Sequence, residues 1–242
     1  MLRKKSGSLE WLEFEIFQKF PKLRHAIFLR QSKIPHSISN KELIQEHFQC
    51  HQLITSHLVH GNRVEEASLL KGIVDCDGLV TRQEGLGLVV THADCQAAIF
   101  FDPVHQAVGC VHAGWRGNVQ NIYKETVKKM ELLYGSRASD LWVGISPSLG
   151  PCCGEFINYR TELPDSFLPF QVKPFYFDLW EIARWQLTKT GILPDHIEVA
   201  SECTRCNRID FYSYRREKGE GRHSTIAALM IDVNCENPVV II

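Results

Sequence analysis

The chain has 242 residues, of which 44% are hydrophobic and 23% charged, with a formal net charge of −1. This is the balance of an ordinary globular protein, and the lack of a basic excess argues against a nucleic-acid partner. No stretch approaches the roughly 18 apolar residues of a transmembrane helix, so we predict no membrane partner. Glu10, Glu13 and Glu15 interrupt the apolar region that a signal peptide would need. We therefore expect a cytoplasmic protein.

The first half of the chain predicts a loop, a helix and several buried strands. Residues 31–42 are polar and indicate a loop, and residues 41–55 carry a weak helical pattern. Between residues 73 and 113, short apolar runs bounded by Gly, Asp and Pro predict buried strands. Asp102-Pro103 lies between the last two runs and is typical of a turn.

The pattern becomes helical after residue 117. Apolar residues recur at three- and four-residue steps from Val119 to Leu133, and Gly135 follows, which predicts an amphipathic helix. Asn118 is its expected N-cap. A second helix is predicted from about residue 178 to residue 190, and "LWVGIS", "HIEVA" and "HSTIAALMI" indicate further strands.

These elements together predict the fold class. Helices and strands are mixed throughout and no linker separates them, so we predict an α/β (mixed α+β) fold. The expected architecture is a single layered domain over residues 1–242, with mixed β-sheets flanked by helices and an N-terminal segment at 1–20.

Nine cysteines, an odd number, occur in a chain without an export signal. A disulfide framework is therefore not expected, and the thiols are interpreted as ligands, nucleophiles or core residues. His60, Cys95 and His112 form one candidate trio. Two imidazoles and a thiolate can bind Zn²⁺ with an open fourth position, and they can also bind copper. The alternative from spacing alone is a core cysteine with two hydrogen-bonded histidines.

Two arginine-containing segments are candidate anion sites. In "HAGWRG" (112–117), Arg116 accompanies the start of a predicted helix, where a phosphate could bind. The alternative is a plain strand-to-helix connection with Trp115 in the core. In "DFYSYRREKGEGRHS", the aromatic residues beside Arg215, Arg216 and Arg222 could receive a phosphate-bearing ligand, or form a solvated edge strand.

Other cysteine and histidine patterns give further hypotheses. Cys95 and His112 could act as a nucleophile–base dyad. "HIE" (196–198) and "CTRC" (203–206) resemble the motifs of zinc nucleobase deaminases, but they are too close together and we reject that match. "CTRC" could form a structural zinc site with Cys152-Cys153, although adjacent cysteines are a poor second half of such a site. A last group is interpreted as solvated or core side chains: His47, Cys50, His51 and His57.

Several short motifs occur in the order typical of one family. They are "ADC" (93–95), "HAGWRG" (112–117), "GPCC" (150–153), "FDL" (177–179), "CT" (203–204), "SYRR" (213–216) and "GR" (221–222). On these motifs the chain resembles the YfiH/laccase-domain family over roughly residues 20–240. That family was first described as multicopper polyphenol oxidases. It is now associated with zinc-containing purine nucleoside phosphorylases that also deaminate adenosine and phosphorolyse methylthioadenosine.

The resemblance implies a function and a set of site residues. It implies a YfiH-like fold and metal ligands at His60, Cys95 and His112. The implied substrates are inorganic phosphate and purine nucleosides such as adenosine, inosine and methylthioadenosine, with Zn²⁺ preferred over copper. We expect Cys95, His112 and Asp94 to be catalytic, with Asp94 as an acid or an anchor. Arg116, Arg30 and Arg215 are the expected substrate-binding residues.

Three positions depart from the family pattern, and three alternative functions stay open. Leu58 replaces a glutamine, Gly154 replaces a tyrosine, and "QSKIPHS" follows Arg30 where the family has Gly-Gly-Ser. The alternatives are a copper phenol oxidase, a Cys–His hydrolase that edits cell-wall precursors, and a non-catalytic binding protein. The sequence predicts no particular oligomeric state.

Overall fold

The structure is a computed structural model, and it describes residues 1–32, 41–68 and 74–231. Within these residues the strands are β1 (Leu2–Ser6), β2 (Leu9–Glu13), β3 (Leu23–Phe28), β4 (Gln52–Thr55), β5 (Val64–Glu66), β6 (Gly78–Thr81), β7 (Leu86–His92), β8 (Gln96–Asp102), β9 (Ala107–Ala113), β10 (Trp142–Ile145), β11 (Gln171–Lys173), β12 (Tyr176–Phe177), β13 (Ile197–Val199) and β14 (His223–Leu229). The α-helices are α1 (Lys41–Phe48), α2 (Trp115–Val119), α3 (Ile122–Tyr134), α4 (Tyr159–Glu162), α5 (Leu179–Lys189) and α6 (Tyr214–Glu217).

Twelve of these strands form two six-stranded mixed sheets. The first has the order β1-β2-β3-β14-β7-β4, and the second has the order β13-β10-β8-β9-β6-β5. Each sheet contains mainly antiparallel pairs and has parallel pairs at its margins, β4 with β7 in the first and β10 with β13 and β5 with β6 in the second. The predicted mixed sheets are therefore confirmed.

The core lies between the two sheets. Alternate residues of a strand point to opposite faces, so one face of each sheet can be apolar throughout. In β8, Ile99 and Phe101 belong to the inter-sheet cluster, whereas Phe100 packs on the other side. In the first sheet, Leu88 of β7 and Leu229 of β14 complete that inter-sheet cluster.

Helices cover the outer faces of both sheets. On the first sheet, Ile44 and Phe48 of α1 pack against Ile226 of β14. On the second sheet, Val127 and Met130 of α3 join an apolar cluster that also contains Ala183 and Leu187 of α5. The order of layers is helix, sheet, sheet and helix, which agrees with the predicted flanked sheets.

Three sequence-based predictions need correction or confirmation. Residues 41–55 were predicted as one helix, but α1 ends at Phe48 and β4 follows, because Leu53 pairs with Gly87 of β7. Asn118 does not cap the long helix. α2 begins after Gly114 and ends at Val119, and α3 has Asn121 as its N-cap, with the side chain accepting from the Lys124 N–H at 3.1 Å. The turn at residue 103 is confirmed, since β8 and β9 form a hairpin around it.

Candidate metal centre

The three predicted metal ligands lie together. His60, Cys95 and His112 each offer one ligand atom, and these atoms lie within 4.8 Å of one another. His112 is near the end of β9, and Cys95 immediately precedes β8 in the short turn from β7. Because Gln96 pairs with Ala113 across the hairpin, Cys95 is adjacent to the end of the strand that carries His112. The loop before β5 brings His60 to the same point, with its ring centroid 4.9 Å from that of His112.

A buried carboxylate fixes two of the three ligands. Asp77 is fully buried and accepts a hydrogen bond from Nδ1 of His112 at 3.0 Å. It also accepts from the backbone N–H groups of His60 at 2.9 Å and Gly61 at 2.7 Å. Since a carboxylate only accepts, Nδ1 of His112 carries the proton and Nε2 remains available to a metal. Such a partner is typical of metal-binding histidines.

Asp77 was not predicted from the sequence as a site residue. The available signal was a carboxylate within the strongly apolar run "GIVDCDGLVT", because a buried charge requires a hydrogen-bonding or charged partner. The sequence likewise predicted no role for His92. Its Nδ1 lies 3.0 Å from the carbonyl oxygen of Cys95, and its Nε2 lies 2.8 Å from the Thr225 hydroxyl. His92 therefore supports the turn that carries Cys95.

Both glycines of "HAGWRG" allow a close approach. A Cβ atom at Gly114 would lie 3.3 Å from Sγ of Cys95 and 3.3 Å from Cδ2 of His60. A Cβ atom at Gly117 would lie only 2.9 Å from the carbonyl oxygen of Gly61. Glycine at the first position leaves room beside the three ligands, and glycine at the second lets the His60 loop pack on α2.

The ligands also perturb one another's protonation. Burial acts to raise the pKa of Cys95, but hydrogen bonds from His112 and His60 outweigh it and lower that pKa to about 6. Burial likewise acts to lower the pKa of His112, while Asp77 and Cys95 raise it to about 9. The pKa of Asp77 is lowered: burial opposes this change, and hydrogen bonds from His112, Gly61 and His60 outweigh it. The site therefore favours a thiolate at neutral pH, as metal binding requires.

This donor set fits a divalent metal with an open position. Two imidazoles and one thiolate are the three-ligand set of a catalytic zinc site, and they are also acceptable to copper. The space beside Gly114, which a methyl group would crowd, lies next to all three ligands. His60, Cys95 and His112 are thus a candidate site for one metal ion.

Asp94 lies beside Cys95 but points toward other loops. Its carboxylate accepts hydrogen bonds from the hydroxyl of Thr204 at 2.7 Å and the hydroxyl of Ser213 at 3.0 Å. It also accepts from the backbone N–H of Arg215 at 2.7 Å. Of the two roles expected for Asp94, these three hydrogen bonds fit the anchor. They leave the carboxylate little capacity to act as an acid.

A cavity of about 960 Å³ opens beside the candidate metal centre. Its lining includes the three ligand residues and four side-chain cations, Arg116, Arg215, Lys218 and Arg222. These cations lie over aromatic rings that also line the cavity. The guanidinium carbon of Arg116 is 4.3 Å from the Trp115 ring centre, that of Arg215 is 5.4 Å from Phe156, and that of Arg222 is 5.6 Å from Tyr214. The cavity thus combines cations and flat apolar surfaces with the carboxylates of Asp94 and Glu220.

The predicted substrate-binding arginines do not all reach this cavity. Arg116 and Arg215 line it, but Arg30 is not among the described residues that do. Arg30 instead forms an ion pair with Glu217 and lies 4.8 Å from the Tyr212 ring. The binding role of Arg30 stays a prediction. Because α2 has only five residues, side-chain cations are a better anion site here than a helix terminus.

The remaining cysteine and histidine motifs have different surroundings in the structure. His196 stacks on Trp142 at 3.6 Å, and the described group that contains Cys203 and Cys206 includes no histidine, which agrees with our rejection of the deaminase match. His57 pairs with Asp75, and His47 packs against Trp11. Cys203 and Cys206 do meet Cys152 and Cys153, contrary to our expectation, and the four sulfur atoms lie within 4.8 Å of one another.

The fold and the candidate site define a protein of two packed mixed sheets with a candidate metal centre. Residues 34–230 match the family described as multi-copper polyphenol oxidoreductase laccase. The chain belongs to this family, which confirms the resemblance found in the sequence. The family implies a metal, and His60, Cys95 and His112 are residues that could bind it.

Several relatives carry the name purine nucleoside phosphorylase. YlmD of Geobacillus stearothermophilus is 35% identical over 169 residues, which are 66% of this chain and 61% of the relative. A protein of Bacteroides thetaiotaomicron is 29% identical over 182 residues, 72% of this chain and 66% of its own length. A mouse protein, LACC1, is 33% identical over 150 residues, 58% of this chain but only 35% of the mouse protein. The chain thus matches about a third of the mouse protein and under two thirds of YlmD.

Solved structures confirm the fold. The crystal structure of YlmD from Geobacillus stearothermophilus superimposes with a TM-score of 0.81, covering 94% of this chain and 98% of that chain at 24% identity. A hypothetical protein YfiH from Bacillus licheniformis gives a TM-score of 0.80 with the same coverage and identity. Among the described residues, no helix is both long enough and apolar enough to cross a membrane.

Proposed function

We propose that the protein is a zinc-dependent purine nucleoside phosphorylase of broad specificity. Its substrates would be inorganic phosphate and adenosine, inosine or methylthioadenosine, and it would also deaminate adenosine. One observation carries the proposal: the His60–Cys95–His112 site lines the same cavity as a group of cations and aromatic rings. The names of the relatives support it.

The cavity offers complementary groups for both substrates. The rings of Trp115, Phe156 and Tyr214 are suited to stack on a purine, because an aromatic base prefers a flat apolar surface. The guanidinium groups of Arg116 and Arg215 are suited to bind phosphate through charge-assisted hydrogen bonds. A volume of about 960 Å³ accommodates a nucleoside and a phosphate together, since ligand cavities span about 300–1,000 Å³.

Phosphorolysis requires few covalent steps. An oxygen of phosphate forms a bond to C1′ of the ribose while the bond from C1′ to the purine nitrogen breaks. The products are ribose 1-phosphate and the free base, which takes up a proton. Positive charge develops on the sugar ring and negative charge on the leaving base, so fixed groups near each accelerate the reaction. In this proposal Arg116 and Arg215 hold phosphate. Asp94 positions Arg215 by accepting a hydrogen bond from the backbone N–H of Arg215.

A metal ion would be held by the ligand atoms of His60, Cys95 and His112. When bound, zinc supplies a Lewis acid that can lower the pKa of water to about 7, which suits the deamination of adenosine to inosine and ammonia. Asp77 keeps Nε2 of His112 free for the metal by accepting the proton of Nδ1. The metal could also be copper, which would favour the phenol oxidase alternative.

The test is product analysis with purified, zinc-loaded protein. Adenosine, inosine and methylthioadenosine are each incubated with and without phosphate, and bases, nucleosides and ribose 1-phosphate are measured by chromatography. We expect adenine, hypoxanthine and ribose 1-phosphate only when phosphate is present, and inosine from adenosine in either case. Cys95→Ser should abolish the reactions, whereas Cys50→Ala, which changes a buried thiol away from the site, should not. Zinc-loaded protein that converts none of the three nucleosides would overturn the proposal.

A cysteine hydrolase is a second candidate, and one contact favours it. Cys95, His112 and Asp77 have the order of nucleophile, base and orienting carboxylate. The second imidazole, His60, is better explained by metal binding. A chelator separates the two functions, because a thiol hydrolase retains its activity on amide or ester substrates after chelation. The zinc phosphorylase loses its activity on nucleosides under the same conditions.

A further inference from the structure

Four cysteines converge at a second place in the molecule. Cys152 and Cys153 lie in the "GPCC" turn, and Cys203 and Cys206 lie in "CTRC", about fifty residues later. All four sulfur atoms lie within 4.8 Å of one another, and all four cysteines are free. Cys206 Sγ is 3.6 Å from Sγ of Cys152 and 3.6 Å from Sγ of Cys153.

The two separations of 3.6 Å are close to those of a tetrahedral metal site. With zinc–sulfur bonds of about 2.3 Å, tetrahedral geometry places neighbouring sulfur atoms about 3.8 Å apart. A disulfide would require a pair at about 2.05 Å, and a disulfide would leave two of the four thiols unused. The cluster is therefore closer to a four-thiolate site than to a disulfide.

The local backbone brings the sulfur atoms to the same side. The carbonyl of Cys203 accepts hydrogen bonds from the N–H groups of Cys206 at 3.1 Å and Asn207 at 2.9 Å, which closes the "CTRC" turn. The N–H of Cys153 donates to the carbonyl of Gly150 at 2.9 Å and closes the other turn. A parallel bridge between Ser148 and Cys203 holds the two turns side by side. The adjacent pair at 152 and 153 is thus compatible with one site, because it lies in a tight turn.

Hydrogen-bond donors also face the sulfur atoms. The N–H of Gly150 points to Sγ of Cys203 at a distance of 3.4 Å. The guanidinium of Arg205 donates to the side chain of Cys153. Donors directed at sulfur stabilise thiolates, and they offset part of the negative charge that four thiolates would place around one divalent ion.

We infer that Cys152, Cys153, Cys203 and Cys206 together bind one structural zinc ion. A complete set of four protein ligands leaves no open position, unlike the three-ligand centre, so this ion would have a structural role. Cys153 and Cys203 are buried within a small apolar cluster with Leu149, and Cys152 and Cys206 are exposed at the surface. The ion would fasten residues 150–153 to residues 203–206.

This second site stabilises one wall of the cavity. The carbonyl of Cys153 accepts a hydrogen bond from Nη1 of Arg215 at 3.2 Å, and Thr204, next to Cys203, donates to Asp94. The N–H of Leu149 donates to the carbonyl of Asp94 at 2.8 Å. Leu149, Asp94 and Arg215 all line the cavity, so loss of the structural ion would loosen the wall that holds Arg215. Zinc binding by these four cysteines does not require the reaction proposed above.

Zinc analysis of matched variants tests this inference. Protein prepared with zinc under reducing conditions should contain two ions per chain. Cys95→Ser and Cys206→Ser should each retain one ion, and the double variant should retain none. Cys50→Ala is the control and should keep both. In the Cys95→Ser variant, cobalt should give the intense charge-transfer absorption of a four-thiolate site, and the Cys206→Ser change should remove it. A Cys95→Ser protein without bound zinc, or a wild-type mass lower by two hydrogens, would overturn the inference.

A second measurement uses the wild-type chain alone, in case Cys206→Ser fails to fold. Cys152 and Cys206 are exposed, so an alkylating reagent can reach them in the native protein. If they bind zinc, peptide mapping should find them protected, and a chelator should make them reactive at least tenfold faster. Equal alkylation rates with and without the chelator would contradict a metal at this place.

Discussion

The Asp77→Asn variant tests how the three-ligand centre is positioned. Oδ1 of Asp77 accepts from His112 and His60, and Oδ2 accepts from Gly61. An asparagine must place its NH₂ group against at least one of these donors, most easily against Gly61. One buried donor then lacks an acceptor, which lowers the free energy of unfolding by about 1–3 kcal/mol. The weaker support of His112 should reduce zinc affinity by about 10–100-fold, or about 1.4–2.8 kcal/mol.

Asp102→Asn is a matched control for this variant. Asp102 is also fully buried, and it accepts from the N–H groups of Val104 and His105 and from Nδ1 of His105. It therefore makes the same set of hydrogen bonds at the β8–β9 turn, away from the metal ligands. Both variants should lose similar stability in urea unfolding. Only Asp77→Asn should lose zinc in competition with a chromogenic chelator, and equal affinities in the two variants would refute the positioning role.

Three further predictions concern the ligands and the core. In metal-free protein, alkylation of Cys95 should accelerate as the pH rises through about 6, because the neighbouring imidazoles lower the pKa of its thiol. A midpoint of the alkylation rate at pH about 8.5, the ordinary thiol value, would contradict this prediction. Gly114→Ala should weaken zinc binding by roughly tenfold in chelator competition, since its Cβ crowds Cys95; unchanged affinity would show that the ligands can move. Gly144→Ala places a Cβ 2.5 Å from the Phe14 ring and should lower the unfolding free energy by about 1–3 kcal/mol with zinc content unchanged, as urea denaturation would show.

Periodicity predicted the elements better than their ends. The β8–β9 hairpin and the β14 strand follow from apolar runs bounded by turn residues. The helical pattern after residue 117 was also correct, but it could not show that the helix is broken at Asn121, which adopts a left-handed backbone with φ 54°. Asn118 had equal capping character in the sequence. Its side chain instead donates to Gln96 in the core, a contact that only the tertiary fold creates.

The candidate metal ligands could be found from residue chemistry and family resemblance, but Asp77, which holds two of them in place, could not. Asp77 lies far along the chain from His112, and only the pairing of β6 with β9 brings the two together. Close packing explains why glycine occupies position 154, where the family often has tyrosine. A Cβ atom there would lie 2.5 Å from the carbonyl oxygen of Phe177. Leu58, the other departure, lines the cavity and is therefore expected to affect substrate preference.

The surroundings of the cysteines divide them into two chemical classes. Burial raises the pKa of Cys50 to about 11, and it raises that of Cys110 to about 12 although the backbone N–H groups of Val90 and Val111 act to lower it. These thiols therefore stay protonated and pack as small apolar groups. Cys95 is also surrounded by protein, yet two imidazoles make its thiolate the favoured form. Cys203 receives backbone N–H groups as well, and its pKa is lowered despite the opposing effect of burial. Both clustered sites thus direct donors at sulfur. The neighbouring imidazoles at Cys95 and the neighbouring thiols at Cys203, rather than burial or backbone donors alone, distinguish these candidate metal ligands from the core thiols of Cys50 and Cys110.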